Sequence, residues 1–182
     1  MTYELTRSRR KTVGIQVKGG KVLVKAPFYA AKAEIDRIVE SHRSWIEARL
    51  LKDEKERREA METPKFTAGE LKAIVSEAKR RIPERVRYYA EIIGVSYGTV
   101  SIRKQKTRWG SCSAKGNLNF NCLLVLMPEE VLDAVVVHEL CHRKEMNHSE
   151  RFYTEVLSVY PEYKRWNRYL KQHGRALLNR LP

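Results

Sequence analysis

His138-Glu139-Leu140-Cys141-His142, with His148 beyond it, is the stretch from which the rest of the chain can be read. Residues 138–148 hold three of the five histidines. On a helix, His138 and His142 stand one turn apart on a single face, where both can grip one metal ion. Glu139 projects beside that ion, within reach of a water that it would deprotonate as general base. His148 falls past the end of such a helix and supplies a third ligand. Three protein ligands leave one coordination position free, the arrangement of a catalytic zinc rather than a structural one. The spacing therefore predicts one Zn2+ per chain, held by His138, His142 and His148, with Glu139 as the catalytic residue.

The flanks of the motif favour a buried helix. Val131, Leu132, Ala134, Val135, Val136, Val137 and Leu140 leave little polar surface. Two histidines and a glutamate are costly there unless paired or metal-bound; the competing reading is a core helix with two satisfied histidines. Pro128, with Glu129 and Glu130, marks the first turn. Cys141 points off the ligand face and reads as packing. Upstream, Asn117–Leu123 sets Leu118, Phe120 and Cys122 on one face and Asn119 and Asn121 on the other, which predicts a strand. Thr99–Arg103 predicts another. Between them, Arg108-Trp109-Gly110-Ser111-Cys112 reads as Trp109 filling core and Gly110 permitting a tight turn, with a cleft wall as the alternative. Downstream, Ser149 caps a helix carrying Phe152, Val156, Leu157 and Tyr160. Pro161 opens a last helix carrying Trp166, Tyr169 and Leu170.

Further out, Thr67 and Glu70 form a capping-box pattern. They precede a stripe of Leu71, Ile74, Val75, Ala78, Ile82, Val86, Tyr89 and Ile93. Pro83 is expected to kink or split that helix, and Gly94 to end it. Near the N-terminus, Lys11–Val17 and Val22–Ala26 flank Lys18-Gly19-Gly20-Lys21, which predicts a β-hairpin. Tyr3–Thr6 adds a third strand to an antiparallel sheet. A single helix from Ala30 to Arg58 follows, with Ile35, Ile38, Val39, Trp45, Ile46 and Leu50 as its apolar stripe. Strands, helices, strands and helices in that order predict an α+β protein. Two parts are expected: residues 1–62, a hairpin and long helix, and residues 63–182, with the metal motif and a basic C-terminal helix.

The 182 residues suffice to bury a core without disulfides. Cys112, Cys122 and Cys141 are odd in number and form no C-x-x-C pair, which suits a reducing compartment. The N-terminus lacks an apolar signal stretch, and no apolar run reaches the roughly 18 residues of a membrane span. A cytoplasmic location and no membrane partner are expected. The net charge is +14, dense in Lys79–Arg87, in Arg103–Arg108 and after Glu162. That last stretch holds Lys164, Arg165, Arg168, Lys171, Arg175 and Arg180 and no acid. Such a balance favours anionic partners, whether nucleic acid, nucleotides or an acidic polypeptide, against the plainer reading of a solvated basic surface.

Arg108-Trp109-Gly110-Ser111-Cys112, Gly116-Asn117-Leu118-Asn119, the His138–His142 motif, Asn147-His148-Ser149 and Phe152 together resemble the YgjP-like metallopeptidase family. That family looks related to the wider zincin group, with its SprT-like and WLM-type proteases. The resemblance implies a zincin-like catalytic domain with a small antiparallel sheet, a zinc-dependent peptidase and a polypeptide substrate. It carries over His138, His142 and His148 as ligands and Glu139 as catalytic residue. By analogy with other zincins, Asn117–Leu123 would form a sheet edge beside the metal, to which an extended peptide pairs. The ligand spacing equals that of metzincins, but Glu145 replaces their glycine and no methionine follows His148, so that label is rejected. The turn before His148 is expected at Asn147, in left-handed backbone.

Three further readings stay open. One is a zinc-dependent nucleotide pyrophosphatase, with Arg103, Lys104, Lys106 or Arg108 holding phosphates. Another is a nucleic-acid-associated, SprT-like protease recruited by the basic tail. The third is a metal-binding module without turnover. Tyr153, Arg151 and Arg108 are the candidates for stabilising a transition-state oxyanion.

Overall fold

Gly19 and Gly20, with φ of 60° and 75°, supply the left-handed pair that a two-residue hairpin turn needs. They join β2 (Gly14–Lys18) to β3 (Lys21–Pro27), which pair antiparallel. β1 (Glu4–Ser8) pairs with the other side of β3 in parallel, so the sheet has the order β1-β3-β2. It is mixed, where an antiparallel sheet was expected. Arg7 accounts for the placement: its Nη1 donates to the carbonyls of Pro27, Phe28 and Ala30 at 3.0, 3.0 and 2.8 Å. This pins β1 to the exit of β3.

The expected single helix is two: α1 (Lys32–Ser41) and α2 (Arg43–Glu62). Ser41 Oγ and His42 Nδ1 both reach the Ile38 carbonyl at 2.8 Å, and the His42 N–H turns to the Val39 carbonyl at 3.2 Å. Local side-chain bonds thus displace one rung of the backbone ladder. Ile35, Val39 and Ile46 pack with Val17, Val22, Val24 and Ala26. Trp45, expected in that stripe, is 51% exposed, because the break at His42 changes which face the second helix buries. The computed structural model describes residues 1–182, the side chain of Ala60 excepted. The chain divides into two compact units, Met1–Thr63 and Pro64–Pro182.

The second unit opens with α3 (Ala68–Ile93). Its capping box is closed by Glu70 N–H to Thr67 Oγ1 at 3.2 Å and Thr67 N–H to Glu70 Oε2 at 2.7 Å. Gly94, at φ 73°, ends it. The helix runs unsplit through Pro83. Ile82 and Val86, both fully buried, hold it to the core across the missing hydrogen bond.

β4 (Val100–Arg103), β5 (Gly110–Cys112) and β6 (Leu118–Asn121) form a second sheet, in the order β4-β6-β5. β6 is parallel to β4 and antiparallel to β5. This small sheet is therefore mixed too, and the strand expected at its edge is its centre. β5 is one of its two edges, where a tight turn at Gly110 was expected. Asn121 is the cause. Buried rather than facing solvent, it donates from Nδ2 to the carbonyls of Gln105 and Arg108 at 2.6 and 3.0 Å. Its N–H donates to the Trp109 carbonyl at 2.8 Å. The clamp folds residues 105–109 back and lays 110–112 along β6.

α4 (Glu129–Cys141) is buried on nearly every side, against α3, β5, α5 (Glu150–Val159) and α6 (Tyr163–Asn179). A helix apolar all round belongs in a core. Each fully buried valine or leucine on it contributes about 1.5–3 kcal/mol. That is the scale against which the same helix carries Asp133 and Glu139 inside.

Candidate metal centre

α4 delivers His138 from its last turn and His142 as the residue that caps it. The chain then continues in helical bonding: the N–H groups of Arg143, Lys144 and Glu145 donate to the carbonyls of Leu140, Cys141 and Cys141 at 2.9, 3.0 and 3.0 Å. Among the described residues only glycines have positive φ, so Asn147 is not left-handed as expected. The overwound helix end, not a special residue, carries the chain round to His148.

There His148 Nε2 lies 3.0 Å from His138 Nε2. His138, His142 and His148 each offer a ring nitrogen, and these lie within 4.8 Å of one another. Neighbouring nitrogens on a tetrahedral zinc are about 3.3 Å apart, given bonds of about 2.0–2.1 Å. The donor set thus fits one ion. His142 Nδ1 lies 3.0 Å from the Glu145 carbonyl. A carbonyl only accepts, so Nδ1 carries the proton and Nε2 keeps its lone pair. His138 Nδ1 lies 2.8 Å from Tyr163 Oη, and burial holds that phenol protonated. Phe152, fully buried, stacks on His142 at 4.6 Å and meets His138 and His148 edge-on at 4.9 Å each. One apolar ring thereby backs all three imidazoles.

Burial, then repulsion from His142 and His148, depresses the His138 pKa to about 3. Burial likewise lowers that of His142. Neutral imidazoles are lone-pair donors, which is what a dication needs. Glu139 is 6% exposed, and burial pushes its carboxyl up to about 8, with no hydrogen-bonding or charged neighbour among the described residues to offset it. Its packing explains Gly110. A methyl group at position 110 would lie 2.5 Å from Glu139 Oε1 and 2.7 Å from its Cγ. Gly110 is required for close approach in a strand, not for a turn.

Glu139 and His138 open into a cleft of about 270 Å3, walled by Trp109, Trp166 and Leu170 and lined also by Arg108. Trp109 is both core and wall: on its far side a methyl at Gly174 would meet its ring at 2.8 Å. Of the cations considered for phosphates, Arg108 alone lines this cleft among the described residues. Tyr153 sits beside His148, with ring centroids 6.2 Å apart. Arg151 lines a different groove, with Lys144 and Glu155. Cys141 is buried, as packing requires. Tyr163 is the residue that motif reading misses. It lies on another helix, and nothing near it in sequence marks it; only the fold brings it to His138.

The family model of the YgjP-like metallopeptidase domain matches residues 71–173. That is more than half of the chain, and the chain belongs to this family. It is accordingly a metal-dependent hydrolase of the peptidase class. Among solved structures, it is similar to the metallopeptidase zymogen of Pyrococcus abyssi abylysin, at 27% identity and a TM-score of 0.47, over 52% of this chain and 96% of that one. The metallopeptidase zymogen of Methanocaldococcus jannaschii jannalysin is similar at 22% identity and a TM-score of 0.46, over 50% and 94%. No curated protein sequence matches. No helix among the described residues is long and apolar enough to cross a membrane.

Proposed function

From membership of the YgjP-like metallopeptidase family we infer a zinc-dependent peptidase that holds one zinc per chain on His138, His142 and His148 and uses Glu139 as general base. The observation that carries this reading is the convergence of three imidazole nitrogens beside a single buried acid without a partner. Zinc bound there would supply Lewis acidity, polarising a scissile carbonyl and easing proton loss from water. Glu139, wedged against the Gly110 backbone, takes the proton of the attacking water and passes it to the leaving amine. Tyr163 and the Glu145 carbonyl orient His138 and His142 through Nδ1.

β5 supports a mode of substrate binding. Asn121 N–H bonds the Trp109 carbonyl, and Ser113 N–H bonds the Asn117 carbonyl. Antiparallel alternation then leaves the backbone groups of Gly110 and Cys112 directed away from β6. An extended polypeptide pairs along that edge, its scissile carbonyl beside Glu139. Arg108, which lines the cleft, is the oxyanion partner that this reading prefers to Tyr153 and Arg151.

The test is the metal content of wild type and Glu139→Gln, paired with hydrolysis of an unstructured protein and of nucleoside triphosphates. About one zinc per chain in both, with proteolysis in wild type alone, is the expected result. Triphosphate hydrolysis without proteolysis would replace the peptidase by a phosphohydrolase. Absence of zinc from both would sink the ligand assignment.

A further inference from the structure

A groove of about 670 Å3 runs between α5 and α6, and Tyr163 and Asn167 line both it and the catalytic cleft. A polymer engaged at Glu139 that leaves the cleft on this side enters the groove. Lys164, Arg168 and Lys171 form its α6 bank. Their spacing puts them on one helical face, and all three are exposed. No ion pair among the described residues involves them; Glu162, the last acid of the chain, pairs with Arg165 at 3.3 Å. Like charges one turn apart repel, so this stripe stands uncompensated along a groove that the site itself feeds.

Resting on the peptidase reading, we propose that this groove selects acidic polypeptide segments, seating substrate Asp and Glu side chains against Lys164, Arg168 and Lys171. The dimensions agree. Lys164 and Arg168 are about 6 Å apart along the helix axis and Arg168 and Lys171 about 4.5 Å, against about 6.6 Å between same-side residues of an extended chain, a difference that the long Lys and Arg side chains span. The opposite bank carries Tyr153, Thr154, Leu157 and one acid, Glu150. A nucleic-acid strand bears a charge at every nucleotide and would bring some of them against Glu150. A polypeptide sets acids toward one bank and neutral side chains toward the other. The net charge of +14 adds long-range steering of the same sign.

Binding tests this apart from turnover. The Glu139→Gln protein, full-length and zinc-loaded, is titrated with a fluorescent decapeptide carrying Glu at alternate positions, with its Gln counterpart and with a decathymidylate. The Glu peptide should bind best. Lys164→Gln/Arg168→Gln/Lys171→Gln should weaken it about tenfold or more. Lys72→Gln/Lys79→Gln, on the exposed side of α3, should change it less than about twofold. Equal affinity for the Gln peptide, or an equal loss from the α3 variant, overturns the proposal. So does tighter decathymidylate binding that the triple variant abolishes, which would make the groove a nucleic-acid surface. Cleavage-site profiling of a mixed peptide library by wild type completes the test. Asp and Glu should be enriched on one side of the cut bonds and lose that enrichment in the triple variant. Cleavage without enrichment overturns the groove and leaves the peptidase standing. Selective binding with no cleavage of any peptide supports the groove and fails the peptidase reading.

Discussion

Asp133 and Glu139 lie on the same helix, each 6% exposed, and the fold treats them in opposite ways. Arg85 grips Asp133 with two hydrogen bonds, from Nε and Nη2 at 2.7 and 2.6 Å, and Tyr89 Oη donates a third at 3.0 Å. Hydrogen bonding to Asp133 raises the Arg85 pKa. Burial, then the charge of Asp133, raises that of Tyr89. Glu139 has nothing comparable and sits against a glycine backbone at the floor of a cleft. Burying a carboxyl costs several kcal/mol unless hydrogen bonds replace its water. At Asp133 they do, and the acid staples α4 to α3. At Glu139 no protein group does; its carboxyl instead opens into the cleft. Burial alone therefore does not separate the two acids; their partners do.

The largest effect that separates the two acids is on turnover. Glu139→Gln should cut proteolysis by about 100- to 10,000-fold while metal content and the thermal midpoint hold. A comparable loss of folded protein would show that Glu139 is structural as well. Asp133→Ala should do the reverse. It strands Tyr89, leaves Arg85 only its 3.8 Å contact with Glu129, and should cost about 2–4 kcal/mol in urea unfolding, toward the low side of the loss from a fully buried pair because the Arg85 side chain is 27% exposed. The protein that remains folded should bind zinc normally; metal loss at unchanged stability would break the contrast. Gly110→Ala pushes a methyl group into Glu139, and a displacement near 1 Å is worth about 100-fold in kcat. Unaltered kcat would mean that Glu139 has room to spare. The smallest effect belongs to Tyr163→Phe, which removes the partner of His138 Nδ1. Competition with a chelator should show zinc affinity weaker by about 10- to 100-fold, and unchanged affinity would reduce Tyr163 to packing.

The metal motif was legible because its geometry is local. His138, Glu139 and His142 lie within one turn of one helix, so the 3.6-residue period alone sets their relation. The caps at Thr67 and Gly94 were legible for the same reason. Sheet order was not. The parallel pairing of β1 depends on Arg7 reaching the Pro27–Ala30 carbonyls, and β5 exists because Asn121 clamps residues 105–109. Both are single side chains acting across long separations, which leave no periodic trace. The break at His42 was missed because the apolar stripe continues past it, while Ser41 and His42 compete for one carbonyl.

By itself the sequence determined the class of fold and the three histidines that come together, with Glu139 beside them on the same helix, because spacing on one helix and apolar patterning are properties of the chain. Only the tertiary structure decided how that set is held and what reaches it. It put Tyr163 behind His138, Phe152 behind all three imidazoles and Gly110 beneath Glu139. It set β5 at one edge of the second sheet and joined a basic groove to the cleft. Each of these joins elements far apart in sequence, and close packing of a common core is what brings them together.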